Sequence, residues 1–514
     1  MKKSIRLGIA LLVVACVFAY EHFARRAPAG ATRTSPGFAI APTAKAFTMG
    51  ALHFAACELG QPHSGATTAA YCASFEVPEN RAAPQGRQIH LKLALIASDA
   101  AVGDPDIVVF LAGGPGQAAT ADYASVERAL TPLRKHHHIL LVDQRGTGGS
   151  NALTCKNDEK TSNEKNVGLD IGRIRADTAA CLATLANKAD PRFYTTTNAV
   201  ADLEAVRQAL GAPMFDLIGV SYGTRVAQQY VRAHPDGVRS VVLDSVVPNQ
   251  LVLGSEFAIN LDAALKADFA ECTSAPACKA RFGDPYRALY ALRDKLRGAP
   301  LKVTYPDAVT FASDRGTLDV DMLATTVRLF AYTPETAALL PLAIDEASAG
   351  NAAPLLGQAQ LIRGDLAELS ESGMALSVIC SEDADLLHDR PEDAQLILGD
   401  ALIRAFKAQC AIWPRGSRPS GFHAPLVSAI PTLILEGELD PVTPPRYGKV
   451  VLLNLSNARM LVAKGQGHNV IGRGCFPKLM RRFVEMLDPA GLDASCLADF
   501  GPTPAFLDFN GAAP

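Results

Sequence analysis

The chain has 514 residues, 48% of them hydrophobic, with 49 basic against 52 acidic side chains and a formal net charge of -3. That apolar content buries a core able to offset chain entropy, which excludes a disordered protein. The balanced charge excludes a nucleic-acid binder, which needs a basic face to displace counterions, and a single strongly apolar run at the start excludes a multipass membrane protein.

That run extends from Leu7 to Tyr20 behind the basic head Met-Lys-Lys-Ser-Ile-Arg. It is short of the about 20 residues that span a bilayer and has no polar face, so residues 1–26 read as an export signal. Val13-Val14-Ala15-Cys16 also resembles a bacterial lipobox, with Val where Leu is more usual, making Cys16 a candidate lipidation site. Arg25 and Arg26 fit a simple cleaved signal poorly, so freely released and anchored forms both stay open. Any membrane attachment is expected only through this segment or its lipid, with the protein periplasmic, envelope-anchored or secreted. Residues 27–44, rich in Ala, Pro, Thr and Gly, read as a flexible tether.

Removing Cys16 leaves ten cysteines, an even set that suits disulfides in an exported protein. Sequence does not fix their connectivity. The working model pairs nearest neighbours: Cys57 with Cys72, Cys155 with Cys181, Cys272 with Cys278, Cys380 with Cys410, and Cys475 with Cys496. No Cys-x-x-Cys pairs point to a metal, and His136-His137-His138 reads as the lead into a strand. No metal or cofactor is expected.

Ile89, Leu91, Leu93 and Leu95 alternate as in a half-exposed strand, whereas Ile107–Leu111 and Ile139–Val142 are continuous apolar runs suited to a sheet covered on both faces. Val200, Leu203, Val206 and Leu210 follow helical spacing, with Asn198 as a possible cap and Gly211 as the stop. A strand at Phe215–Ile218, a helix over Tyr222–Ala233 and a strand at Ser240–Leu243 then imply a parallel, helix-covered sheet. Residues 246–420 are Ala- and Leu-rich with helical spacing. Strand patterns return at Thr432–Leu435 and Met460–Val462. The economical reading is an α/β core, residues 45–245 and 421–514, interrupted by a mainly helical cap at 246–420. The charged stretch Lys156–Lys165 reads as solvated surface.

Gly219-Val-Ser221-Tyr-Gly223 lies between a predicted strand and a predicted helix, where small flanking residues let a serine occupy a strained turn. Ser221 is the candidate nucleophile. Downstream, Asp440 follows the strand Thr432–Leu435, and His468 follows Met460–Val462 through Gly465-Gln-Gly467. Alone, Asp440 reads as a turn residue and His468 as a loop histidine. The order Ser, Asp, His, with each residue at a strand end, makes them the orienting acid and the base. Leu111-Ala-Gly113-Gly114-Pro-Gly116 follows an early strand and suits an oxyanion hole, with backbone N–H groups from Gly114 (Gly113 as alternative) and Tyr222. A phosphate-cradling loop is the other reading of these glycines, but no Gly-Lys-Ser/Thr ending follows.

Together Gly113-Gly-Pro-Gly116, Asp143-Gln-Arg-Gly-Thr-Gly148, Gly219-Val-Ser-Tyr-Gly-Thr224, Gly437-Glu-Leu-Asp-Pro-Val-Thr-Pro444 and Gly465-Gln-Gly-His468 resemble the proline iminopeptidase and tripeptidyl aminopeptidase family of α/β-hydrolases. Length and cysteine content look more like its secreted tripeptidyl aminopeptidase branch. One departure is Ala112, where that family usually has His. The resemblance implies an α/β-hydrolase fold with a mostly parallel sheet, and a cap that acts as a lid admitting peptide ends. Acidic cap residues would then hold the substrate's amino group, with Glu382 and Asp383 in Cys380-Ser-Glu-Asp383 as candidates; ordinary surface carboxylates are the other reading. The expected protein is thus an exported serine exopeptidase acting on peptide substrates near their free amino end. An ester hydrolase on the same fold is the alternative, and a non-catalytic envelope-binding protein is a third.

Overall fold

The computed structural model describes residues 40, 44–60, 67–100, 102–155, 170–307, 310–359 and 372–512. The export segment, Cys16, most of the tether and the stretch Lys156–Lys165 lie outside the described residues. No described helix is long and apolar enough to cross a membrane.

In chain order the strands are β1 (Ala46–Met49), β2 (Leu52–Gly60), β3 (Thr67–Pro78), β4 (Gln88–Ile96), β5 (Ile107–Leu111), β6 (Ile139–Val142), β7 (Phe215–Val220), β8 (Val238–Asp244), β9 (Leu301–Pro306), β10 (Ser313–Leu318), β11 (Thr432–Gly437) and β12 (Ala458–Ala463). Ten of them form one sheet in the order β1-β2-β3-β4-β6-β5-β7-β8-β11-β12. From β6 to β12 every neighbour is parallel, while β1 to β4 run antiparallel and join the sheet through β6. The continuous apolar runs are the buried parallel strands: every residue of β5, β6 and β7 is buried.

Helices α1 (Ala119–Arg134), α2 (Ile171–Leu185), α3 (Thr196–Leu210) and α4 (Tyr222–Ala233) precede the cap. The sequence points to Asn198 as the cap of α3. In the structure the helix starts earlier, and Thr195 Oγ1 accepts the Asn198 N–H at 3.3 Å. Gly211 ends it at φ 67°, a left-handed turn glycine enters cheaply. Val108 and Phe110 face a core shared with α1 and the helix Phe476–Met486, whereas Val109 and Leu217 face one shared with α3 and α4.

The cap has its own core. Leu261, Leu265 and Phe269 of α5 (Phe257–Ser274) pack with Leu292 and Leu296 of α7 (Pro285–Gly298), Val327 of α8 (Val320–Phe330) and Ile344 of α9 (Leu340–Ser348). Helix α6 (Pro276–Phe282) and the hairpin β9–β10 complete it. The structure differs from the expected 246–420 boundary in one respect. Helix α10 (Ser372–Glu382) does not join this core, whereas α11 (Ala401–Cys410) meets it through Leu402, behind Ile397 and Leu398. Met374, Val378, Ile379, Cys410 and Trp413 share the sheet's core, so this stretch packs on both the cap and the hydrolase body. Its Ala- and Leu-rich texture matches the cap's, which is why composition alone assigns it there.

Five disulfides join Cys57–Cys72, Cys155–Cys181, Cys272–Cys278, Cys380–Cys410 and Cys475–Cys496, all nearest neighbours. The first ties β2 to β3, and the fourth ties α10 to α11.

Candidate active site

Strand β7 runs into α4 through Ser221, which sits at φ 54° and ψ −123°. For a residue with a side chain this conformation costs about 1–3 kcal/mol and persists only where neighbours hold it. Those neighbours are visible. A side chain at Gly219 would come within 2.6 Å of the Gly223 carbonyl oxygen, and one at Gly223 would strike the Leu111 carbonyl. The Ser221 N–H donates to Asp244 O at 2.9 Å, while Thr224 donates to Ser221 O through N–H at 2.9 Å and Oγ1 at 2.6 Å. Small residues and Thr224 thus let strand and helix meet tightly enough to present the serine.

The glycine loop after β5 lies against this turn. A Cβ at Gly113 would sit 3.3 Å from Ser221 Cβ and 2.7 Å from Gln117 Oε1. Gly114 and Gly116 take φ 104° and 111°, and the Gly114–Pro115 bond is cis. The two backbone segments expected to supply oxyanion donors, Gly113–Gly114 and Tyr222, therefore flank the serine.

Asp440 and His468 meet: His468 Nδ1 and Asp440 Oδ2 are 2.7 Å apart. Asp440 Oδ1 accepts the N–H groups of Val442 at 2.7 Å and Thr443 at 2.8 Å, and Oδ2 accepts Thr443 Oγ1–H at 3.0 Å. Burial pushes this carboxyl upward. The attraction and hydrogen bond of His468, with the two N–H groups, outweigh burial and hold it below the usual value. The imidazole is pinned from behind: the His468 N–H donates to Tyr332 O at 2.8 Å, and the Tyr332 ring meets the imidazole edge-on, centroids 5.3 Å apart. A side chain at Gly467 would strike that Tyr332 carbonyl, which accounts for the glycine before the histidine. Among the described residues no hydrogen bond joins His468 to Ser221; such contacts are often loose without substrate.

The family model described as alpha/beta hydrolase fold matches residues 106–473. The chain belongs to the α/β-hydrolase family. This α/β-hydrolase is similar to the serine protease Hip1 of Mycobacterium tuberculosis, 27% identical over 455 residues, which is 81% of this chain and 85% of that protein. It is also similar to the tripeptidyl aminopeptidase of Streptomyces coelicolor, 28% identical over 189 residues, 34% of this chain and 35% of that one. Among solved structures, the proline iminopeptidase of Mycobacterium smegmatis aligns over 82% of this chain and 100% of its own, with 17% identity and a TM-score of 0.36. The chain is a hydrolase with serine peptidases among its relatives.

The Asp143-Gln-Arg motif of this α/β-hydrolase is scaffolding. Arg145 is fully buried and binds Asp202 with both Nε and NH2 at 2.6 Å, while NH1 reaches the Glu79 and Phe193 carbonyls at 2.8 Å. Asp143 accepts Thr120 N–H at 2.8 Å and Gly149 N–H at 3.0 Å.

Glu382 and Asp383 require a correction. They are not on a lid facing a cleft; both are fully buried at the end of α10, in the hydrolase body. Glu382 accepts the Thr196 N–H at 2.6 Å and its hydroxyl at 2.9 Å, and that hydroxyl lies 2.6 Å from Tyr222 OH. Asp383 pairs with buried Arg225 at 2.8 Å. Burial, with the neighbouring Asp383 adding to it, pushes Glu382 up to about 7, although Arg225 and Thr196 pull it down. Each carboxylate has an internal partner, although Asp383 Oδ1 has no hydrogen bond, and neither side chain reaches the surface. Sequence reasoning misses Thr196, Arg225 and Tyr332 because their roles depend on contacts far away in the chain.

Proposed function

We propose that this hydrolase is a serine peptidase acting near the free amino end of peptides. Ser221 Oγ attacks the scissile carbonyl, and His468 Nε2 takes its proton and returns it to the leaving amine. Asp440 holds the tautomer that makes Nε2 the base and stabilises the imidazolium. The N–H groups of Tyr222 and Gly114 receive the oxyanion, and water then releases the acyl group. The observation carrying this reading is the buried 2.7 Å link between Asp440 and His468, on loops that follow strands beside the Ser221 elbow. The Hip1 and tripeptidyl aminopeptidase likenesses favour peptides over esters, and the cap suits selection of chain ends. The basic head, apolar run and five disulfides support export to an oxidising compartment.

With Glu382 and Asp383 engaged internally, the acid facing the substrate amine belongs elsewhere in the cap. Asp268 of α5 is our candidate. It lines the gap between α5 and the triad-loop residues Leu439, Gly465 and Gly467, and also borders a cavity of about 300 Å³ walled by Pro502, Pro504 and Leu507. Burial, then Glu271, pushes its carboxyl up to about 6, a charge an ammonium group would stabilise. The test compares a good peptide with its acetylated form and with a short ester. Acetylation should cut kcat/KM at least about tenfold, and Asp268→Asn should shrink that ratio. Equal cleavage of free and acetylated peptides would replace the exopeptidase reading with an esterase or endopeptidase.

A further inference from the structure

Strand β8 ends in Asp244, a fully buried residue that touches both halves of the site. Its backbone carbonyl accepts the Ser221 N–H at 2.9 Å. Its side chain turns the other way, towards the loop behind the histidine. Oδ1 accepts the Val470 N–H and Oδ2 the Ile471 N–H, both at 3.0 Å. The next residue, Ser245, sits at φ 57° and accepts the Asn469 N–H on Oγ at 2.8 Å. Three consecutive N–H groups directly after His468 therefore end on the last residue of β8 and the residue that follows it. The pairing of Asp244 with Leu435 in β11 ties the same residue to the strand that leads to Asp440.

We propose that Asp244 is a positioning residue for the triad: its carboxylate, helped by Ser245 Oγ, fixes the backbone after His468 so that the imidazole faces Ser221. It also places a second negative charge behind the imidazolium formed during turnover. The assignment rests on the triad reading above.

A loop cap needs only a neutral acceptor, yet a carboxyl stands here in crowded company. The charged and titratable groups around it are Glu436 and Asp440, from β11 and the loop beyond it, and His468; Tyr332 covers the imidazole from the cap. Burial pushes Asp244 up to about 6, while the two N–H groups and His468 pull it down against Asp440. Glu436 is fully buried, and its Oε2 has no hydrogen-bond partner. Burial, then Asp440 and Asp244, pushes its carboxyl well above the usual range. Removing the Asp244 carboxylate takes away one attraction to the imidazolium, which moves the acidic limb of activity to lower pH.

The experiment compares Asp244→Asn, Ser245→Gly and Ser221→Ala with the parent, all as full-length, disulfide-intact protein and all checked by thermal unfolding. Asp244→Asn should lower kcat roughly 10- to 100-fold with KM nearly unchanged, the scale expected when a base is misplaced. Its acidic limb should move down by roughly half a pH unit or more. Ser245→Gly tolerates φ 57° and removes the short side chain with its hydroxyl; it should lower kcat several-fold and leave the limb in place, because no charge is lost. A folded Asp244→Asn variant with parental kcat, or with lowered kcat and an unmoved limb, overturns the assignment. If Asp244→Asn does not fold, parental kcat in Ser245→Gly overturns it. Turnover retained in Ser221→Ala removes the triad reading and this assignment with it, a result separate from the other two.

Discussion

Two buried acidic clusters flank the serine elbow, and they are built on opposite principles. Beside Asp440 the charge is welcome: His468 and the N–H groups of Val442 and Thr443 outweigh burial and lower the carboxyl pKa. At Glu382 burial wins, and the carboxyl rises to about 7. Asp440 therefore adds stability above the ordinary 3.8 that is lost as pH falls through its lowered value. Glu382 adds stability below 4.5 that is lost as pH rises through about 7. A buried acid serves chemistry when its partner is a base that can reach the substrate. When its hydrogen-bond partner is a buried threonine, as Thr196 is here, it serves the scaffold.

The sharpest way to break this contrast is at the proposed nucleophile and base. Ser221→Ala or His468→Ala should lower kcat about 10⁶-fold with the fold kept, read by steady-state kinetics beside thermal unfolding, because nucleophile and base act as one unit. Near-normal turnover in either variant would end the serine mechanism. Asp440→Asn keeps shape but favours the wrong histidine tautomer. It should cost about 10⁴-fold in kcat, and a loss below tenfold would make Asp440 a loop residue only.

Thr443 tests how finely the acid is held. Its hydroxyl lies 3.0 Å from Asp440 Oδ2 and 3.3 Å from His468 Nδ1. Thr443→Val keeps the backbone N–H and removes one hydrogen bond to a charged group, worth roughly 1.5–3 kcal/mol. Part of that loss falls on the transition state, so kcat should drop about tenfold. An unchanged kcat would show that the two backbone donors suffice.

Much of this was legible in the residues. The buried strands β7 and β11 announce themselves as continuous apolar runs, and Ser221 and Asp440 follow them, whereas His468 follows the only partly buried β12. Proximity in sequence also sufficed for the cysteines, which pair with nearest neighbours. Two features were not legible. The antiparallel strands β1 to β3 carry many exposed small and polar residues, so no apolar period marks them. The environment of Glu382 depends on Thr196 and Arg225, which lie 186 and 157 residues away in the chain. Read locally, an acidic pair beside a cysteine in an Ala-rich stretch looks like surface; only tertiary packing shows that it is interior.

Glu382→Gln should therefore have the smallest effect on activity, and its informative readout is stability against pH. The glutamine keeps an oxygen to accept the Thr196 N–H and offers an amide to its hydroxyl, so the link to Tyr222 is retained. Turnover should stay within about twofold of the parent, since a hydrogen bond is exchanged rather than lost. The free-to-acetylated substrate ratio should not move. Stability should differ in a set direction. Below pH 4.5 the parent's Glu382 is protonated in both folded and unfolded chains, and the two proteins should melt alike. Between 4.5 and about 7 the unfolded parent ionises this group while the folded one resists, so the parent loses stability that the glutamine variant keeps. Thermal unfolding at a series of pH values should show the variant's advantage growing across that window and levelling above it. An advantage independent of pH would mean that Glu382 is already charged throughout, paired with Arg225 as Asp383 is. A collapse of the free-to-acetylated ratio would return Glu382 to the substrate side of the site.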